Sequence, residues 1–210
     1  MRGYQSTESV AARSSSLGAA AGAPALLGCV GVGLLAGLLT AFMDSLHLGL
    51  GLPGHKVLFW MPPLVIARLV LRHPIGATAG TGATAIACLG CGANIAGGAA
   101  YVPLIVLAGS VLDAAVGFAE RLRLPFWLII PLLGAAGAGG AMLCAVKRLA
   151  EPLLKTHLLW SVIPDPAASV IIYAFFGLIA GLLGAAIATG MIRLKGSRRG
   201  RGAALPANDR

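Results

Sequence analysis

The chain has 210 residues, 58% of them hydrophobic and only 11% charged, with a formal net charge of +9 and a mean hydropathy of +0.88. A soluble domain carries about a quarter charged residues. Here the charges gather at the two ends and in short bands between long apolar runs, which excludes a soluble globular domain and indicates an integral membrane protein. The positive charge does not point to nucleic acid, because six of the sixteen Lys and Arg lie from Arg193 onward. A basic tail after a last span suits the anionic lipid of a cytoplasmic face.

In chain order, residues 1–23 carry no apolar run and are expected to form a disordered cytoplasmic N-terminus. The string "LLGC" ending at Cys29 is similar to a lipoprotein cleavage box, but the apolar stretch follows it instead of preceding it. The first span, about 24–43, is therefore read as uncleaved. It carries a small-residue stripe, Gly33-x-x-x-Gly37-x-x-x-Ala41, of the kind that lets two helix backbones approach closely. Asp44 and His47 follow it, then a Pro53-Gly54 break and the pair His55-Lys56.

A second span at 57–72 contains Trp60 near its start and Pro62-Pro63, which predict a kink or a late start. The third, 75–93, is Gly/Ala/Thr-rich and is expected inside the bundle, with Cys88 and Cys91 on one face. A lone C-x-x-C is weak evidence for redox or metal chemistry, and packing is the simpler reading. The remaining spans are 99–119, 125–147 and 167–193, followed by a basic disordered tail at 194–210. The expected fold is an all-α membrane bundle of about six helices over 24–193, since a span needs about 20 apolar residues, or fewer inside a bundle.

With both termini inside, cytoplasmic segments hold Arg2, Arg13, Arg68, Arg72, Arg121, Arg123 and the six tail cations, twelve in all. Exterior segments hold four: Lys56, Lys147, Arg148 and Lys155. That excess sets the orientation. The three exterior connections then collect Asp44, His47, His55, Lys56, Asn94, Tyr101, His157, Trp160 and Asp165. His55 and Lys56 could donate hydrogen bonds to an anionic or heteroaromatic ligand, with Trp60 supplying a stacking face. The competing reading is interfacial anchoring, which also favours Lys and Trp at headgroup depth.

Asp113 lies well inside the fourth span, where an unpaired carboxylate costs about 2.5–3.5 kcal/mol on insertion scales. Arg68 and Arg72 are the available partners, with Glu120 seven residues on. An ion pair tying spans two and four is expected; a part in proton transfer or coupling is the alternative. No phosphate-binding P-loop, H-E-x-x-H zinc motif or G-x-S-x-G nucleophile elbow occurs. No catalytic residue, metal or cofactor is therefore assigned, and the chain is not expected to be an enzyme.

Six short spans with both termini inside, exterior loops rich in ligand-type side chains, and small-residue stripes resemble the substrate-binding S component of energy-coupling factor (ECF) transporters. The strings "LGLPGHKVLFWMPPLVIARLV" and "LAGSVLDAAVGF" are also similar to segments of S-component-like bacterial membrane proteins. The resemblance covers residues 25–193 and implies a subunit of the bacterial cytoplasmic (inner) membrane that binds a vitamin-like small molecule near its outer face. It would dock onto a transmembrane coupling subunit driven by two ATPase subunits. Carried over, it implies His55, Lys56 and Trp60 at the first exterior loop, Asn94 and Tyr101 at the third, and His157 and Trp160 at the fifth. Gly33, Gly37 and Ala41 would match the docking stripe, glycine-rich here where the family often shows alanines. No signature of the biotin, thiamine, riboflavin or cobalamin subfamilies is present. The other readings are a stand-alone secondary carrier, a membrane-embedded enzyme or redox protein, and an assembly protein.

Overall fold

A computed structural model describes residues 6–46, 54–93, 99, 102–154 and 166–202. Six helices follow in chain order: α1 (Ser6–Ser45), α2 (Val57–Leu71), α3 (Gly76–Gly90), α4 (Val102–Arg121), α5 (Phe126–Leu154) and α6 (Pro166–Gly202). Among the described residues there is no strand. Four segments are long and apolar enough to cross a membrane: Gly22–Ser45, Val102–Arg121, Phe126–Val146 and Ala167–Lys195. The chain is thus an all-helical, multi-pass membrane protein. α1 and α6 extend beyond the apolar limits read at residues 24 and 193, and α1 does so through Pro24.

α2 and α3 have 15 residues each, about 22 Å of helix. That is short of the roughly 30 Å hydrocarbon layer, so this pair relies on its neighbours for cover. α2 starts at Val57 and continues through Pro62 and Pro63, so the expected late start does not occur. Its first turn is wound on the preceding residues, with Val57 N–H donating to Gly54 O at 3.0 Å and Leu58 N–H to His55 O at 3.1 Å. At its other end Arg72 is left-handed, with φ 56°, and closes the helix by donating its N–H to Arg68 O at 3.1 Å.

The helices close a ring in the order α1, α3, α4, α5, α6, α2 and back to α1. The largest fully buried side chains, Trp60, Arg68, Met61 and Leu64, all belong to α2. Glycine sets the close contacts. A Cβ at Gly33 would land on the Gly80 carbonyl of α3, and one at Gly37 would stand 2.6 Å from Thr84 O and 2.7 Å from Ala87 Cβ. Gly137 of α5 and Gly177 of α6 block each other in the same way. Such approach replaces hydrophobic driving force where lipid is the solvent.

Hydroxyls inside the bundle are satisfied by carbonyls, as a medium without water requires. Thr40 donates to Ala36 O at 2.7 Å and Thr189 to Ala185 O at 2.8 Å. Thr84 shares its proton between Gly80 O and, across the interface, Gly33 O, both at 2.9 Å. Large apolar side chains such as Leu35 and Phe42 of α1, Phe118 of α4 and Ile171 and Phe175 of α6 are exposed and form the lipid-facing surface.

Candidate functional site

Alternation of the helices puts the last turns of α1, α3 and α5 and the first turns of α2, α4 and α6 at one end of the bundle. Side-chain contacts confirm the register at that end. Lys56 Nζ donates to Asp44 Oδ1 at 2.6 Å, joining the exit of α1 to the entry of α2. Cys88 Sγ, near the end of α3, lies 3.0 Å from Gly37 O of α1. Tyr173, on the second turn of α6, packs on Gly54, where an added Cβ would sit 2.9 Å from its ring. Gly54 has φ +83°, a conformation suited to glycine, and this turn presents His55 and Lys56, both half-buried.

Trp60 lies one turn further in and is only 2% exposed, packed in the core with Val57, Met61 and Leu64. It therefore forms the floor beneath this end. Its rings are covered, which is not the placement expected of an interfacial anchor at headgroup depth. His47, Asn94, Tyr101, His157, Trp160 and Asp165 lie outside the described residues. The Gly33, Gly37 and Ala41 stripe is buried against α3 of the same chain, so these residues close the bundle and do not form an open face.

A second polar constellation lies deep in the bundle. Asp113 is 8% exposed and accepts four hydrogen bonds. Oδ1 takes Arg68 Nε–H at 3.0 Å and the Ala77 backbone N–H at 3.1 Å. Oδ2 takes the Thr78 backbone N–H and Thr78 Oγ1–H, both at 2.7 Å. Thr78 Oγ1 also lies 3.2 Å from Ser110 Oγ. Arg68 Nη2 reaches Glu120 Oε2 at 3.5 Å, near the exposed end of α4.

The ion pair expected between spans two and four is present, and it uses Arg68; Arg72 is exposed at the end of α2. The residues that sequence reasoning missed are Ala77 and Thr78. α3 begins after Ile75, an apolar N-cap with no side-chain cap hydrogen bond, which leaves its first N–H groups needing an acceptor. Asp113 supplies that acceptor from α4, and its charge meets the positive end of the α3 dipole. The signal was an "HPIGAT" helix start with no Ser, Thr, Asp or Asn at the cap.

Burial of Arg68 removes it from the cations of the inner loops, which leaves eleven against four and does not change the bias. The end carrying the α2–α3 and α4–α5 turns presents Arg72, Arg121 and Arg123, all exposed, beside exposed Trp127. The two cysteines of the C-x-x-C differ in setting: Cys88 is buried and bonded to α1, while Cys91 is exposed, and both are free thiols. Among the described residues no group of three or more His, Cys, Asp or Glu could hold a metal ion.

No family model, curated protein or solved structure matches the chain.

Proposed function

We propose that this multi-pass protein is a solute-binding subunit of the bacterial cytoplasmic membrane, of the S-component type, taking up a vitamin-like small molecule. The observation that carries this reading is the gathering of ligand-type side chains at one end of a sealed bundle. Asp44, His55 and Lys56 stand there, where α1 ends and α2 begins, one turn out from buried Trp60. The opposite end is arginine-rich, and the positive-inside rule makes that end cytoplasmic and the polar end exterior. Energy for uptake would come from a transmembrane coupling subunit and its two ATPases. With the α1 stripe covered by α3, the coupling subunit would meet another surface.

A stand-alone carrier would need a carboxylate free to change partners. Asp113 holds four donors from two neighbouring helices, α2 and α3, which favours a structural tie.

Native mass spectrometry of the chain, purified gently from its own host, tests the proposal. A stoichiometric small molecule is expected on the wild type and absent from a folded His55→Ala variant. A folded wild type that carries no small molecule would overturn the reading.

A further inference from the structure

The α4–α5 turn carries a charged patch that the solute-binding reading does not use. α4 ends at Arg121 and α5 starts at Phe126, with a tight closure between them. Leu124 N–H donates to Ala119 O at 3.0 Å and Arg123 N–H to Glu120 O at 3.2 Å. A helix end of this kind turns on a left-handed residue, ordinarily glycine, which has no Cβ to clash. Here that residue is Arg123, with φ 51°. Among the described residues, the one other non-glycine with positive φ is also an arginine, Arg72, which closes α2. Both positions hold a cation where glycine would fold more easily.

The depth of the turn is set by the spans on either side. The apolar segment of α4 ends at Arg121 and that of α5 begins at Phe126, so residues 122–125 lie where hydrocarbon gives way to headgroups. Arg121, Leu122, Arg123 and Trp127 are all exposed there, Trp127 by 70%. Neither arginine of the turn makes an ion pair among the described residues, and the neighbouring Glu120 is met by Arg68. Arg72 stands at the adjoining helix end, one turn beyond the Arg68 whose Nη2 reaches Glu120 at 3.5 Å. The inner cluster of Arg68, Asp113 and Glu120 has an excess of one negative charge, which the three exposed arginines outweigh.

We propose that the α4–α5 turn seats the headgroup of one anionic phospholipid. Arg121 and Arg123 hold its phosphate, for which the planar guanidinium is well suited. Leu122 and Trp127 lie against the start of its acyl chains, at the depth where Trp is favoured. Arg72 adds to the field that attracts the lipid. The exposed apolar side chains on the same turn favour a lipid over a soluble anion, because an acyl chain covers them. The seat lies at the opposite end from Asp44 and Lys56 and does not rest on the solute-binding reading.

The test uses the full chain, stripped of lipid in an uncharged detergent, with phosphatidylglycerol or phosphatidylcholine added and bound lipid counted by native mass spectrometry. An arginine near an anionic lipid strengthens binding about five-fold, so the wild type should prefer phosphatidylglycerol by about 30-fold through the pair. An Arg121→Gln/Arg123→Gly double variant should bind the two lipids alike. The single variant Arg123→Gly separates lipid binding from a structural role. Without lipid it should unfold at the wild-type temperature or higher, because glycine relieves the left-handed residue. Four results would each overturn the proposal: equal binding of both lipids by the wild type, a preference that survives in the double variant, displacement of the lipid by inorganic phosphate, or a lower unfolding temperature for lipid-free Arg123→Gly.

Discussion

At the scale of single residues, Asp113 governs the interior. Its carboxylate joins the end of α2, through Arg68, to the start of α3, through Ala77 and Thr78, and it does so from α4. Removing one member of a buried, hydrogen-bonded ion pair costs about 3–5 kcal/mol, mostly by stranding the other charge. Asp113→Ala and Arg68→Ala should each destabilise the bundle on that scale in detergent unfolding. The double variant should lose less than the sum, with a coupling of about 0.5–3 kcal/mol. Strict additivity would mean that the two groups do not form one unit.

That constellation was half legible in the sequence. A carboxylate inside a span demands a counter-charge, and Arg68 was one of two arginines in reach. The acceptor that caps the start of α3 escaped because local reading looks for a cap among neighbouring residues, and this one comes from 35 residues away. For Trp60 it is the competing reading, interfacial anchoring, that the burial disfavours. Its position just after a loop suggests the interface, but α2 is short and enclosed, so even its first turn is core.

At the scale of elements, all six helices were legible from apolar runs and their breaks at "PGHK", "RHP" and "RLRLP". Apolar length alone marks four of them as spanning, and the short α2–α3 pair is explained only by the neighbours that cover it. The glycine stripe of α1 was visible too, but a stripe states that a backbone comes close without naming which. Here α3 occupies it, and a second close approach, between Gly137 of α5 and Gly177 of α6, joins the last two helices. Gly33→Ala and Gly177→Ala should each destabilise by about 1–3 kcal/mol, as overpacking against a backbone does. Gly31 and Gly117 have open space at the Cβ position, so alanine there should be neutral or stabilise by up to about 1 kcal/mol through lower unfolded-state entropy. Thermal unfolding of the four variants checks the contrast. Equal effects at covered and open positions would contradict the packing described.

At the scale of the whole molecule, the two ends differ in chemistry. One carries exposed Arg72, Arg121, Arg123 and Trp127, together with Arg193 and Lys195 of α6. The other carries the Asp44–Lys56 pair, His55, and the ends of α1, α3 and α5. The solute-binding reading proposed above takes the end with Asp44, His55 and Lys56 as the mouth. This depends on that end facing outward.

The chain's own thiols give the direct measurement. Cys91 is exposed at the polar end, whereas Cys29, Cys88 and Cys144 are buried. A membrane-impermeant maleimide applied to intact cells should add a single label, abolished in Cys91→Ser. Labelling of Cys91 only after the cells are opened would place the polar end in the cytoplasm and contradict a solute-binding mouth on the exterior.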